Sequence, residues 1–273
     1  MTSEALIPSV RASLQRATER LTQAGCDTPR LDAEVLLASS LDTDRAGLVV
    51  GGRDLVGAPA LRRFEEMVAR RAEREPVAYI VGRKGFRFLE LRCDRRALIP
   101  RPETELLVEV ALTLPAGVRV LDVGTGTGAV ALAVASERPD LDVTGSDLSS
   151  DALALARDNA RRLGVRVRFT HADLRDGLAA DVVLANLPYV PDGTVLAPEI
   201  ARYEPASALY AGADGLSLIR RLCAQLAGVS VVALEHGSEQ GAAVAELVRT
   251  GGFADVRVLR DLAGLDRVTV GRR

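Results

Sequence analysis

From Pro115 onward the chain alternates short, wholly apolar runs with segments whose apolar positions recur at helical spacing. Apolar runs without polar alternation suit parallel strands covered on both faces, and the helices between them supply the crossovers. The pattern predicts strands at 119–123, 142–146, 165–170, 181–185 and 229–234, with helices near 129–136, 150–163 and 215–226. Two further strands, 254–259 and 267–271, complete a doubly wound, Rossmann-like α/β sheet of seven strands with one reversed edge strand.

The first 75 residues carry a helical rhythm instead. One helix starts at about Ser9, spaces Val10, Leu14 and Leu21 along a face and stops at Gly25. A second opens with Thr28 as cap and Pro29 in the first turn, and places Leu31, Val35 and Leu36 on one face. A third covers 58–73. Three short helices make a small bundle with a thin core. In 78–98, Tyr79 to Val81, a turn from Gly82 to Gly85, and then Phe86, Phe88 and Leu91 predict a twisted hairpin. Pro100 and Pro102 then fix the chain before a helix that Glu103 or Thr104 can open. The expected organisation is a helical domain at 1–75, a β-hairpin connector at 76–102 and an α/β domain at 103–273.

Candidate chemistry begins where the first strand ends, at Asp122-Val123-Gly124-Thr125-Gly126-Thr127-Gly128. Open α/β sheets bind ligands at such strand-to-helix turns, and glycines let the backbone approach them closely. Asp147, at the end of the next strand, is placed to accept hydrogen bonds from a ribose diol, which points to a nucleoside-bearing cofactor. Gly124 to Ala129 also satisfies the dinucleotide pattern G-x-G-x-x-A, so a nicotinamide oxidoreductase is a rival. Asp122 favours the other reading, because a carboxylate beside the turn repels pyrophosphate and suits the cationic S-adenosylmethionine.

After the fourth strand comes Asn186-Leu187-Pro188-Tyr189. An amide or exocyclic amine is a poor nucleophile because its lone pair is delocalised. Two acceptors for its NH2 hydrogens, the Asn186 side-chain oxygen and the Leu187 carbonyl, would orient the nitrogen and stabilise charge developing there. Pro188 would hold the turn, and Tyr189 could pack on the planar group.

Composition narrows the setting. Among 273 residues, 48% are hydrophobic and the formal net charge is -2, which is a folding composition. No apolar run approaches the ~18 residues of a membrane span, and Met1 to Leu14 lacks the pattern of a secretory leader, so a cytoplasmic protein with no membrane partner is expected. Cys26, Cys93 and Cys223 are odd in number and lack metal-ligand spacing, which favours reduced structural thiols; with His171 and His236 as the only histidines, no metal site is expected. Charge is unevenly placed. Between Arg53 and Arg101 stand 13 basic and 7 acidic residues, an excess of +6 on an otherwise acidic chain, which suggests a partner steered to a basic face beside the pocket mouth.

Together these residues resemble the class I methyltransferases of the PrmC/HemK family, which modify the glutamine of the Gly-Gly-Gln motif in bacterial peptide-chain release factors. Pro29-Arg30-Leu31-Asp32-Ala33-Glu34 is similar to the family's N-terminal signature, and Glu75 to Gly82 and Ile99 to Glu105 are similar to its connector. Asp122 to Gly128 is similar to its cofactor loop; Glu204 to Leu209, Glu235-His236-Gly237 and Arg260 to Gly264 match further stretches. The resemblance implies methyl transfer from S-adenosylmethionine, leaving S-adenosylhomocysteine, to a glutamine side-chain nitrogen of a release factor. It places the cofactor on Asp122, Gly124, Thr125, Gly126, Thr127, Gly128, Asp147 and Asn186, with Asp173 and Leu174 on the adenine side, and the glutamine on Asn186 to Tyr189. Leu174 stands where an aromatic is common, and Leu187 where the family usually has proline. Asn-Leu-Pro-Tyr also resembles rRNA adenine dimethyltransferases, which makes an RNA or DNA adenine amino-methyltransferase the alternative. A net charge of -2 and 3% aromatics argue against a nucleic-acid substrate. A non-catalytic cofactor-binding adaptor is a further alternative, and a monomer is expected.

Overall fold

The computed structural model describes residues 7–273, so the first six residues of the stretch read for a leader lie outside the described residues. The chain divides into two compact units: one runs to Gly82 and takes in 197–203, and the other comprises 83–196 and 204–273.

The first unit contains α1 (Val10–Gln23), α2 (Pro29–Ser40), α3 (Arg45–Val50), α4 (Ala58–Ala72), α5 (Val77–Val81) and, numbered in chain order, α9 (Pro198–Tyr203). Ser9 caps α1 by accepting from the Ala12 N–H at 3.2 Å, and Val10, Leu14, Ala17 and Leu21 form its buried stripe. Thr28 occupies the cap position of α2, but its hydroxyl donates to Asp32 at 2.8 Å instead of accepting from the backbone. The buried face of α2 also differs from the expected one. Leu31 is exposed and Val35 half-buried, while Asp32, Ala33, Leu36 and Leu37 turn inward. The reason is Arg71 of α4, whose Nε donates to Asp32 at 2.7 Å and whose Nη2 donates to Glu199 of α9 at 3.1 Å. Arg74 also pairs with Glu199, and the Tyr203 hydroxyl donates to the Glu73 carbonyl at 3.0 Å. Residues 79–81, expected as a strand, belong to the helical turn α5, which Gly82 ends at φ +73°.

The second unit opens with a hairpin, β1 (Arg83–Phe86) and β2 (Leu89–Arg92), that turns at Arg87-Phe88. The division between units therefore falls inside the stretch expected as a connector. Asn159 staples this hairpin to the sheet: its side chain accepts from Arg92 N at 2.7 Å and donates to Thr127 O at 3.0 Å. Next come α6 (Glu105–Leu112), β3 (Arg119–Val123), α7 (Ala129–Glu137), β4 (Asp142–Asp147), α8 (Ser150–Leu163), β5 (Arg168–His171) and β6 (Val182–Ala185). The chain closes with α10 (Ser217–Cys223), β7 (Val231–Glu235), α11 (Gly241–Thr250), β8 (Asp255–Arg260) and β9 (Asp266–Arg272).

Among the described residues seven strands form one sheet, in the order β5-β4-β3-β6-β7-β9-β8. The reversed strand is β9, and it is internal rather than at the edge, antiparallel to both β7 and β8. Burial explains the placement. Val268 to Gly271 are buried, whereas β8 alternates exposed and half-buried positions and so tolerates the edge. Alternate residues of the central strands feed two cores. Val120, Val182 and Leu184 pack with α6 and α7, while Leu121, Val123 and Val183 pack with α10 and α11. No helix among the described residues is long and apolar enough to cross a membrane.

Five arginines of 53–101 pair with acids from outside the segment. In the first unit Arg71 and Arg74 take Asp32 and Glu199. In the second, Arg87 takes Glu109 and Glu137, Arg96 takes Asp158, and Arg101 takes Glu204. All six acids come from outside the segment.

Removing Arg71 would leave Asp32 and Glu199 without their main counter-charge in a low-dielectric site. Arg71→Ala is therefore expected to destabilise the first unit by about 3–5 kcal/mol, read as a fall in its urea midpoint; a parental midpoint would refute the pairing.

Candidate active site

The strand order reverses at β3, which has β4 on one side and β6 on the other. Chain leaving β3 and chain leaving β6 part in opposite directions, so a crevice opens at their carboxyl ends. The register Val123↔Ala185 sets Gly124 and Asn186 across from each other there.

Gly124 N and Thr125 N both donate to Ser146 O, at 2.8 and 2.9 Å, which anchors the glycine loop on the end of β4. Gly124 has φ +74°, and a Cβ on it would come within 3.1 Å of Leu187 Cδ2. Gly128, at φ +83°, starts α7, and a Cβ there would meet Leu132 at 3.0 Å. Both positions thus require glycine on backbone and packing grounds.

The two loop carboxylates are held by the loop itself. Asp122 Oδ2 accepts from the Thr125 hydroxyl at 2.6 Å and from Ala131 N at 3.2 Å, and burial pushes its pKa up to about 6. Asp147 accepts from Gly126 N at 2.9 Å and Ser149 N at 2.8 Å, and burial raises its pKa as well.

Asp122, Gly124, Thr125, Gly126, Thr127, Asp147, Asn186 and Pro188 line one cavity of about 830 Å³, open solvent at its mouth included. Residues 96–101, Thr104, Ala129, Val130, Ser149, Ala152, Pro205, Ser207 and Ala208 complete the wall; of these the sequence suggests only the nearness of the connector to the mouth. A salt bridge explains the convergence of the first and last of these stretches: Glu204 accepts from Ile99 N at 3.1 Å and pairs with Arg101, joining two motifs about a hundred positions apart.

Other expected site residues stand back from the lining. Leu187 is buried with Leu216 and Ile219, so packing supplies the rigidity that a proline would have given the loop. Tyr189 is half-buried beside Gly237, and its carbonyl accepts from Gln240 at 3.0 Å. Asp173 and Leu174 are absent from that lining. Asp173 pairs with Arg221 at 2.6 Å, and Leu174, at φ +59°, turns into the core. Two further residues approach Asn186 from behind. Its Nδ2 donates to Thr104 Oγ1 at 2.9 Å, and Thr104 interacts in turn with Glu235, which the β6–β7 register sets beside Asn186. An acid ending the otherwise apolar run of β7 was the available signal for the second.

The family model described as the PrmC N-terminal domain matches residues 12–82, ending where the first unit gives way to the second. The methyltransferase small domain matches 102–202. A release factor glutamine methyltransferase of Vibrio cholerae is 41% identical over 97% of this chain and 96% of its own. One from Pseudomonas aeruginosa is 47% identical over 90% of this chain and 94% of its own. The chain belongs to the release factor glutamine methyltransferase family. In fold, this methyltransferase also resembles the hMettl16 catalytic domain solved with the MAT2A 3'UTR hairpin 6, at 14% identity and a TM-score of 0.55, covering 76% of this chain and 82% of that one.

S-adenosylmethionine is the methyl donor of this methyltransferase. The site fits it. The glycine cradle admits close backbone contact, the cavity volume suits a nucleoside-sized ligand, and two acids stand in its wall. The Gly124 to Thr127 loop would hold the donor's amino-acid portion, and Asp147 its ribose.

Asp147→Ala is expected to weaken donor affinity by about 1.5–3 kcal/mol in calorimetry, and an unchanged dissociation constant would refute its role. Because Asp122 titrates near pH 6, a bound sulfonium favours its ionised form. Donor affinity should thus fall as pH drops through about 6, while affinity for S-adenosylhomocysteine, whose sulfur is neutral, stays flatter. Parallel pH profiles for the two ligands would exclude a charge contact.

Proposed function

We propose that this chain methylates the side-chain nitrogen of the glutamine in the Gly-Gly-Gln motif of a release factor, using Asn186 and the Leu187 carbonyl as its paired acceptors. The observation that supports this reading is that Asn186 and Pro188 line the same cavity as the glycine loop. Donor and acceptor sites therefore share one cavity.

When bound, S-adenosylmethionine supplies an electrophilic methyl group. The chain's own task is to make an amide nitrogen present itself. The Asn186 oxygen takes one NH2 hydrogen and the Leu187 carbonyl the other, so the nitrogen is fixed in direction and its developing positive charge meets two oxygens. Burial of the Leu187 side chain against Gly124 holds that carbonyl in place. One proton leaves the nitrogen for solvent after transfer, and no covalent enzyme intermediate is required.

An adenine amino group would make the same demands on the acceptors. What favours a protein partner is kinship: the relatives 41% and 47% identical to this chain are release factor glutamine methyltransferases. The reading extends to a cytoplasmic monomer, and three free, buried cysteines with raised thiol pKa values suit a reducing compartment. Light scattering checks the oligomeric state.

In a methyl-transfer assay, label should enter a release factor, spare its Gln→Ala variant and spare bare rRNA, with mass spectrometry finding one added methyl on the glutamine. Asn186→Ala should abolish that transfer while donor affinity stays within a few-fold. Labelling of RNA alone would sink the proposal.

A further inference from the structure

A carboxamide can sit in either of two flipped orientations, and only one serves Asn186. Its oxygen must face the cavity; the opposite flip would aim an NH2 at the substrate's NH2. Something has to choose between them.

The register of β6 and β7 supplies the chooser. Ala185 pairs with Leu234, so the next residues in each chain, Asn186 and Glu235, emerge side by side. Thr104 lies with them at the cavity wall, 5% exposed. Asn186 Nδ2 is 2.9 Å from Thr104 Oγ1, and Thr104 in turn interacts with the Glu235 carboxylate. We infer that Thr104 and Glu235 are positioning residues that set the orientation of the Asn186 amide, an inference that rests on the acceptor role given to Asn186 above.

The argument is one of proton counting. A threonine hydroxyl has a single proton, and an ionised carboxylate only accepts. An ionised Glu235 beside it draws that proton, so Thr104 Oγ1 accepts from Asn186, the NH2 turns to Thr104 and the oxygen to the cavity. Glu235 is 1% exposed and its Oε2 has no hydrogen-bond partner, so no structural bond accounts for an acid at this depth. The charged and titratable groups around it are Arg101 and Glu103 from the segment before α6, Arg267 from β9, and Tyr189. His236, next in the chain, is bonded instead to Thr269, at 2.9 Å. Burial outweighs the arginines and pushes the Glu235 pKa up to about 7. Once protonated, Glu235 can donate to Thr104 Oγ1. The threonine proton is then free to point at Asn186, which favours the unproductive flip. Ionised Glu235 is the competent form, so turnover falls as pH drops through about 7.

The test measures kcat at saturating donor and release factor across pH, with donor affinity reporting on fold integrity. Thr104→Val should lower kcat by roughly 10- to 100-fold with donor affinity within a few-fold, and Thr104→Ser should restore most of the rate. Glu235→Gln should remove the acid limb near neutrality whatever its absolute rate. A parental kcat in Thr104→Val overturns the inference, as does an acid limb that is absent from the parent or survives in Glu235→Gln. The pH comparison stands even if the valine variant fails to fold. Asn186→Ala with parental turnover would instead overturn the role given to Asn186, so the two failures are told apart.

Discussion

Everything at the candidate site depends on the register between β3 and β6. Two parallel strands paired Val123 to Ala185 must release their chains at the same height, one toward each face of the sheet. The glycine loop and the Asn-Leu-Pro-Tyr loop therefore meet without either reaching for the other. Contact between them is close enough that Gly124 has no room for a side chain beside Leu187. The next register along the sheet, Ala185 to Leu234, repeats the device and brings Glu235 beside Asn186. A sheet held by backbone hydrogen bonds and filled on both faces by branched apolar residues thus fixes side chains that share no sequence proximity.

Much of this was legible in the chain. Apolar runs located the central strands β6 and β7 to within a few residues, because a strand covered on both faces leaves no polar position to blur its ends. The glycine loop and Asn186 could be found for a related reason: backbone approach and paired acceptors demand particular residue types. What stayed hidden was set by long-range pairing. The inward turn of Asp32 depends on Arg71 and the reversal of β9 on the exposure of β8. Residues 77–81 have strand-forming composition, yet Gly82 in a left-handed conformation ends them as a helical turn. Thr104 looked like a helix start and nothing more, since its partners lie far along the chain.

The charge distribution shows how a local count misleads. A segment rich in arginine looked like a surface waiting for an anionic partner, but six distant acids find it on folding. Several of these pairs do architectural work. Arg101 and Glu204 draw two remote stretches together at the cavity wall, and Arg87 ties the hairpin to α6 and α7. Partner recognition has to rest on a more specific pattern than bulk positive charge.

The capture of α9 by the first unit bears on how the protein is made. Chain emerges from the ribosome in order, yet the unit that begins the sequence cannot bury Arg71 against Glu199 until residue 199 exists. The roughly 120 residues between Gly82 and Tyr203 take on the order of ten seconds to synthesise. During that interval the nascent helices hold an arginine short of one of its two carboxylates. The full pairing of Arg71 therefore waits until Glu199 has been translated, after strands β3 to β6.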